Sequence, residues 1–102
     1  MADNIIIFYK GDISPKLEGI TRIMIGQTEY STGDGINQLL KMIVNKTGWR
    51  YASLRVLKGL NDHFYIAPDP VQMNLTMSVI KKSEILDYYN ELSKQIRFIK
   101  ED

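Results

Sequence analysis

Ile36, Leu39, Leu40 and Ile43 recur at the spacing of one helical face, and Val44 widens that stripe by one position. Ser31, Thr32 and Asp34 ahead of the stripe are all good N-cap residue types, and Gly48 stands where a left-handed C-cap residue belongs. The pattern predicts a helix from about Gly35 to Thr47, with Lys41 and Lys46 on its polar side. Upstream, residues 4 to 10 (NIIIFYK) read as a short buried strand closed by Gly11. Pro15 keeps the stretch between Gly11 and Gly19 out of any central strand. Residues 20 to 28 (ITRIMIGQT) predict a second strand with Ile23 and Ile25 on one face, Arg22 and Met24 on the other, and a bulge at Gly26.

After Trp49 the period becomes two. Residues 51 to 58 and 63 to 67 predict a hairpin across Gly59 to Asp62, and Pro68-Asp69-Pro70 is a break. Val71, Met73, Leu75, Met77 and Val79 then alternate with Gln72, Asn74, Thr76 and Ser78, the pattern of a two-faced strand. Ser83 is the expected cap of a second helix carrying Ile85, Tyr89, Leu92 and Ile96 on one side. Residues 96 to 99 either extend that helix or form a last short strand. The order β-β-α-β-β-β-α predicts a single α+β domain over residues 1–102, two layers deep, with a mainly antiparallel sheet and two helices on one face.

Composition adds limits. A chain of 102 residues suits one domain, and 44% hydrophobic with 25% charged residues is ordinary for a globular one. No cysteine is present, which removes disulfides, thiolate catalysis and cysteine-bound zinc. The longest early apolar run, Ile5 to Tyr9, is far shorter than a membrane span, so a soluble, cytoplasmic protein with no membrane partner is expected. The net charge of +1 sets up no global field. Its distribution is uneven: from Gly35 to Asn61 there are Lys41, Lys46, Arg50, Arg55 and Lys58 and no acidic residue.

Catalytic chemistry finds little support. His63 is the only histidine and has no marked partner, Asp12, Glu18 and Glu29 are typical of exposed loops and strand ends, and no metal or cofactor is expected. Ser31-Thr32-Gly33-Asp34-Gly35 lacks the Gly-Lys-Ser/Thr ending of a P-loop and the spacing of a dinucleotide fingerprint. What remains is a helix start whose N–H groups and hydroxyls can hold an anion, opposed by the Asp34 carboxylate. Trp49, Arg50 and Tyr51 combine stacking faces with a guanidinium, suited to a nucleobase, although an aromatic just past a helix end also serves as a core anchor. Strand alternation would put Arg55 on the same face as Tyr51. The candidate ligand- or partner-binding set is therefore Ser31, Thr32, Trp49, Arg50, Tyr51, Arg55 and Lys58. The uncharged row Gln72, Asn74, Thr76 and Ser78 is easier to bury than a charged one and is the candidate subunit interface of a homodimer.

The segments DISPKLEGITRIMIG, STGDGINQLL ending at KTG, and KKSEILDYYNELSKQIRFI, in their order along the chain, resemble those of the small viral ring nucleases that act as type III anti-CRISPR proteins. The resemblance is architectural and covers most of the chain. It implies a dimer that binds a cyclic oligoadenylate. Matching Ile36-Asn37 to the family's Ile-Asn puts Thr32 where the family carries its catalytic histidine, so the resemblance implies a relative that binds without cutting. Residues 35 to 97 share the α-β-β-β-α order of a double-stranded RNA-binding domain, but acids interrupt the lysine-rich signature at the last helix.

These readings lead to a non-catalytic binding protein, a viral or mobile-element accessory factor against host defence. It would occupy a host protein or an anionic nucleotide ligand in the host cytoplasm. A nucleic-acid-binding module and a ring nuclease-like enzyme that cleaves a cyclic nucleotide are the alternatives.

Overall fold

The computed structural model describes residues 4–69 and 78–101. In chain order the elements are β1 (Ile5–Tyr9), β2 (Ile20–Ile25), β3 (Thr28–Tyr30), α1 (Thr32–Thr47), β4 (Arg55–Lys58), β5 (Phe64–Ala67), α2 (Val79–Gln95) and β6 (Ile96–Lys100). The protein is α+β, as the hydrophobic pattern predicts. One sheet has the strand order β3-β2-β1-β6 and a second consists of β4 and β5. All pairs run antiparallel except β1 with β6, which is parallel and sets Ile5 beside Ile96 and Tyr9 beside Lys100.

Alternation along the strands decides which face is covered. Ile5, Ile7, Ile23 and Ile96 point to the side where Leu39 and Ile43 of α1 and Ile85, Tyr89 and Leu92 of α2 complete one core cluster. Burying an aliphatic side chain of this size contributes about 1.5–3 kcal/mol, so this cluster is the main attachment of both helices. Gly35, in the first turn of α1, is buried against Ile23 and brings the helix backbone close to β2. The hairpin β4–β5 is fastened separately. The Ser93 hydroxyl accepts from Ile66 N–H at 3.0 Å and donates to Ile66 C=O at 3.3 Å, occupying the strand's backbone groups as a neighbouring strand would. Phe64 meets Tyr9 and Phe98 with ring centroids 5.1 and 5.4 Å away.

Four local readings are revised. Residues 20 to 28 are not one bulged strand: Gly26 and Gln27 turn the chain back into β3. Gly26 has a φ of 62° at the first central position of that two-residue loop, the place where a glycine is required. The second helix starts at Val79 rather than after Ser83, because the Ser78 hydroxyl accepts from Lys81 N–H at 3.3 Å and caps it there. Ser78 and Val79 therefore do not belong to the predicted strand at 71–79, and residues 71–77 lie outside the described residues. Residues 51 to 54 carry no strand pairing. Of the two endings open for residues 96 to 99, the chain takes the strand, over Ile96–Lys100.

The other face of the four-stranded sheet carries Ile6, Phe8, Arg22, Met24, Glu29, Arg97 and Ile99. The Arg22 guanidinium lies 3.8 Å from the Phe8 ring centroid and pairs with Glu29 and, at 3.2 Å, with Glu101. The Thr21 hydroxyl also donates to Glu101. These two contacts, Thr21 first and Arg22 second, hold the Glu101 carboxyl below its ordinary 4.5. A carboxyl whose folded pKa is depressed stabilises the fold above its unfolded pKa and loses that contribution as pH falls through the folded value. Thermal melts from about pH 6 down to about pH 3 are expected to drop further for the wild type than for Glu101→Gln, so that the two converge in acid. Equal pH profiles for both proteins would remove this role of Glu101.

Candidate functional site

The anticipated binding residues separate into three places. Ser31 caps α1, its hydroxyl accepting from Asp34 N–H at 3.3 Å, and the Thr32 hydroxyl donates to Ile20 C=O at 2.9 Å. Both side chains thereby tie the start of the helix to itself and to β2. Sixteen residues of α1 put them about 24 Å from its other end. There Gly48 closes the helix in the left-handed conformation with a φ of 70°, and Trp49, Arg50 and Tyr51 follow. Trp49 packs partly buried against the core, which is the anchor role, and its Nε1 meets no acceptor among the described residues.

Arg55 and Lys58 belong to β4 and do not join Arg50. The Arg55 Nε is enclosed and has no hydrogen-bond partner among the described residues, while Lys58 Nζ lies 3.3 Å from Asp62 and 3.9 Å from Asp12. The Asp62 carboxylate, followed by Asp12, raises the Lys58 pKa above 10.5. Asp62 from the adjoining turn and Asp12 from a distant loop therefore mask this end of the segment that is free of acids in the sequence. Lys46 lies apart again, in a cavity of about 130 Å³ with Thr47, Lys81, Glu84, Ile85 and Tyr88. Lys81 donates to Thr47 C=O at 3.0 Å, so the cations there complement the carbonyl end of α1. The five basic residues do not form a single surface.

What does come together is a hollow of about 430 Å³ between α1 and the chain just beyond it. Asn37, Lys41, Asn45, Arg50 and Tyr51 supply its polar groups, Leu40, Val44 and Ala52 its apolar floor, and no acidic side chain lines it. Tyr51 is 45% exposed, leaving its ring available to stack. A second hollow of about 340 Å³ shares Leu40 and Ala52 and runs on past Leu17, Leu54 and Lys16 to Asp69. The two make one trough along α1, cationic at the Lys41–Arg50 end. Asn37 and Asn45 were not singled out from the sequence, and Lys41 only as part of the basic run and not of the binding set, although their spacing of four residues places all three in one row along a helix.

The segment forming the far wall is held in place from beneath. Tyr89, buried in the core, donates its hydroxyl proton to Ser53 C=O. The Ser53 hydroxyl accepts from Asp69 N–H at 2.7 Å. Burial raises the Tyr89 phenol pKa above its ordinary 10, which keeps that donor protonated. The trough is thus bounded by a helix and by a strap anchored to the core, an arrangement suited to holding a ligand.

His63 is exposed and lies away from this trough, beside Asp62, Phe64, Ser93 and Arg97. Among the described residues no group of three histidine, aspartate or glutamate side chains is placed to hold a metal ion, and no helix is long and apolar enough to cross a membrane. Of the proposed interface row, Gln72, Asn74 and Thr76 lie outside the described residues, and Ser78 is the cap of α2. Comparison with known proteins returns no relative: no protein-family model, no curated protein and no solved structure matches the chain.

Proposed function

We propose that this protein is a non-catalytic binding module that takes an anionic, nucleotide-like ligand in the trough along α1. The observation that carries the reading is the meeting of Lys41, Arg50 and Tyr51 in one acid-free hollow with two asparagine amides. Phosphate oxygens suit the two cations, a base suits the tyrosine ring, and the amides can read base edges. The apolar floor favours a ligand with a planar or hydrophobic part over a bare inorganic anion. Thr32, at the position matched to the ring nucleases' histidine, commits its hydroxyl to Ile20 C=O, which supports binding without cleavage. Together with that resemblance, the reading makes a cyclic oligoadenylate the first ligand to test. The biological role would then be an accessory factor that removes a host defence signal by occupancy, in the cytoplasm of the infected cell.

Titration calorimetry with cyclic oligoadenylates and linear mono- and dinucleotides tests this directly. The double variant Lys41→Ala, Arg50→Ala is expected to lose about tenfold or more in affinity for each charged contact removed, and the recovered ligand is expected to be intact by chromatography. Unchanged affinity in the double variant would discard the site. Cleaved ligand would favour the enzyme reading instead. A steep fall in affinity for long single strands with rising salt would favour a nucleic-acid-binding module.

A further inference from the structure

We infer that the face of the four-stranded sheet that no helix among the described residues covers is the contact surface for a second copy of this chain. The reading is independent of the ligand trough, which lies on the opposite side of the sheet with α1.

Ile6 and Phe8 of β1, Met24 of β2 and Ile99 of β6 form an apolar centre on this face. All four are half-buried and none belongs to the core cluster. No helix among the described residues packs on them: α1 lies against β2, β3 and α2, while α2 lies against β5 and β6 from the core side. Around that centre stand Arg22 and Arg97 with Glu29 and Glu101, and Lys10 acts on the Glu101 carboxylate from the end of β1. A face on which both signs are intermixed does not suit nucleic acid or an anionic membrane, both of which select one sign. An apolar centre with a rim of both signs has the layout of a protein interface.

The register makes the face complementary to itself. Met24 lies beside Ile6 and Glu29, and Ile6 lies beside Arg97, so one row across the sheet reads Glu29, Met24, Ile6, Arg97. A two-fold axis along the strands, midway between β1 and β2, turns that row onto itself in reverse. Ile6 then meets Met24 of the partner subunit, and Arg97 meets Glu29 of the partner subunit. Arg97 is exposed and has no ion-pair partner among the described residues, so the contact supplies what it lacks within one chain. Stacked sheets cross at about 30°, an offset that a side chain as long as arginine can span at the rim.

Four strands about 4.8 Å apart, two of them of five residues, one of six and the edge strand β3 of three, make a face of at most about 19 by 17 Å. That is small for a permanent dimer, so the association is of the weak, concentration-dependent kind. It is also closed, because a two-fold contact uses the same patch on both copies and leaves none over.

Sedimentation velocity from micromolar to near-millimolar protein tests this. The expected result is a shift from monomer toward dimer and no further. Met24→Lys puts a charge in the centre of the face and should leave a monomer throughout the range. Arg97→Glu, at an exposed position that the fold does not depend on, should weaken association at least tenfold. Leu60→Lys, 88% exposed on the β4–β5 turn, should change nothing. A wild type that stays monomeric overturns the inference, as does growth past the dimer or a dimer indifferent to both face variants. Circular dichroism identifies a variant that has failed to fold, in which case the Arg97→Glu result decides.

Discussion

Tyr89→Ala is expected to lower the stability of the protein by about 4 kcal/mol, the range for truncating a large aromatic in a packed core. Tyr89 is 1% exposed, the largest of the fully buried side chains, and sits where α2, the sheet and the residue 50–54 strap converge. Alanine there leaves a cavity that elements from three parts of the chain must collapse into together. It also removes the donor to Ser53 C=O, so a carbonyl beneath the trough wall loses its partner. Tyr89→Phe separates the two losses: the ring stays, and the cost should fall to about 1–1.5 kcal/mol. Urea titrations give both numbers, and an unchanged slope with a lower midpoint marks a loss of stability rather than a change in what unfolds. The Phe variant has a further use, because it loosens the strap while keeping the core, and ligand affinity should weaken with it. A Tyr89→Ala protein as stable as the wild type would mean that the core is not assembled around this ring.

Gly35→Ala should destabilise by about 2 kcal/mol, the scale of overpacking, whereas the same exchange in an ordinary helix interior stabilises by about 1 kcal/mol. The reversal comes from position. A Cβ on Gly35 would lie 2.6 Å from Ile23 Cβ and 2.9 Å from its Cδ1. The Cδ1 can swing aside by a rotamer change, but the Cβ is fixed to the backbone of β2, so the helix itself must lift. Gly33, two residues earlier in the same helix, has nothing within 4 Å of a Cβ, and Gly33→Ala should stabilise modestly. The pair forms one experiment by thermal denaturation: Tm should fall by about 10 °C in one variant and rise by a few degrees in the other. A rise in both would show that α1 does not approach β2 closely at Gly35.

Much of the fold was legible because its signals are local. Gly48 was readable as the end of α1 and Ser31 as one of three cap candidates, since capping is hydrogen-bond chemistry among residues a few positions apart. The helix nevertheless begins at Thr32, three residues before the expected Gly35. The sidedness of β2 followed from Ile23 and Ile25 against Arg22 and Met24. The start of α2 was misplaced because alternation to Val79 suggested a buried face, yet Val79 is 84% exposed and Ser78 caps the helix instead. The site was less readable for a related reason. A run free of acids in sequence does not stay so in space: Asp12 comes to Lys58 from a distant loop to join Asp62 of the adjoining turn, and α1 holds Thr32 a helix length from Arg50. The row Asn37, Lys41, Asn45 was visible as a helical spacing, but only packing reveals that the chain from Arg50 to Ala52 folds back to make it one wall of a trough.

The parallel pairing of β1 with β6 sets an order of events during synthesis. Ile5 waits for Ile96 across about ninety residues of intervening chain. At ordinary elongation rates the first strand therefore spends several seconds outside the ribosome with one edge unfilled. Its run Ile5-Ile6-Ile7-Phe8-Tyr9 is uncharged and β-prone, the composition that zips onto another nascent copy. Until the last strand emerges, the hairpin with β2 guards only one side, so yield in the cell depends on whether translation or self-association reaches that open edge first.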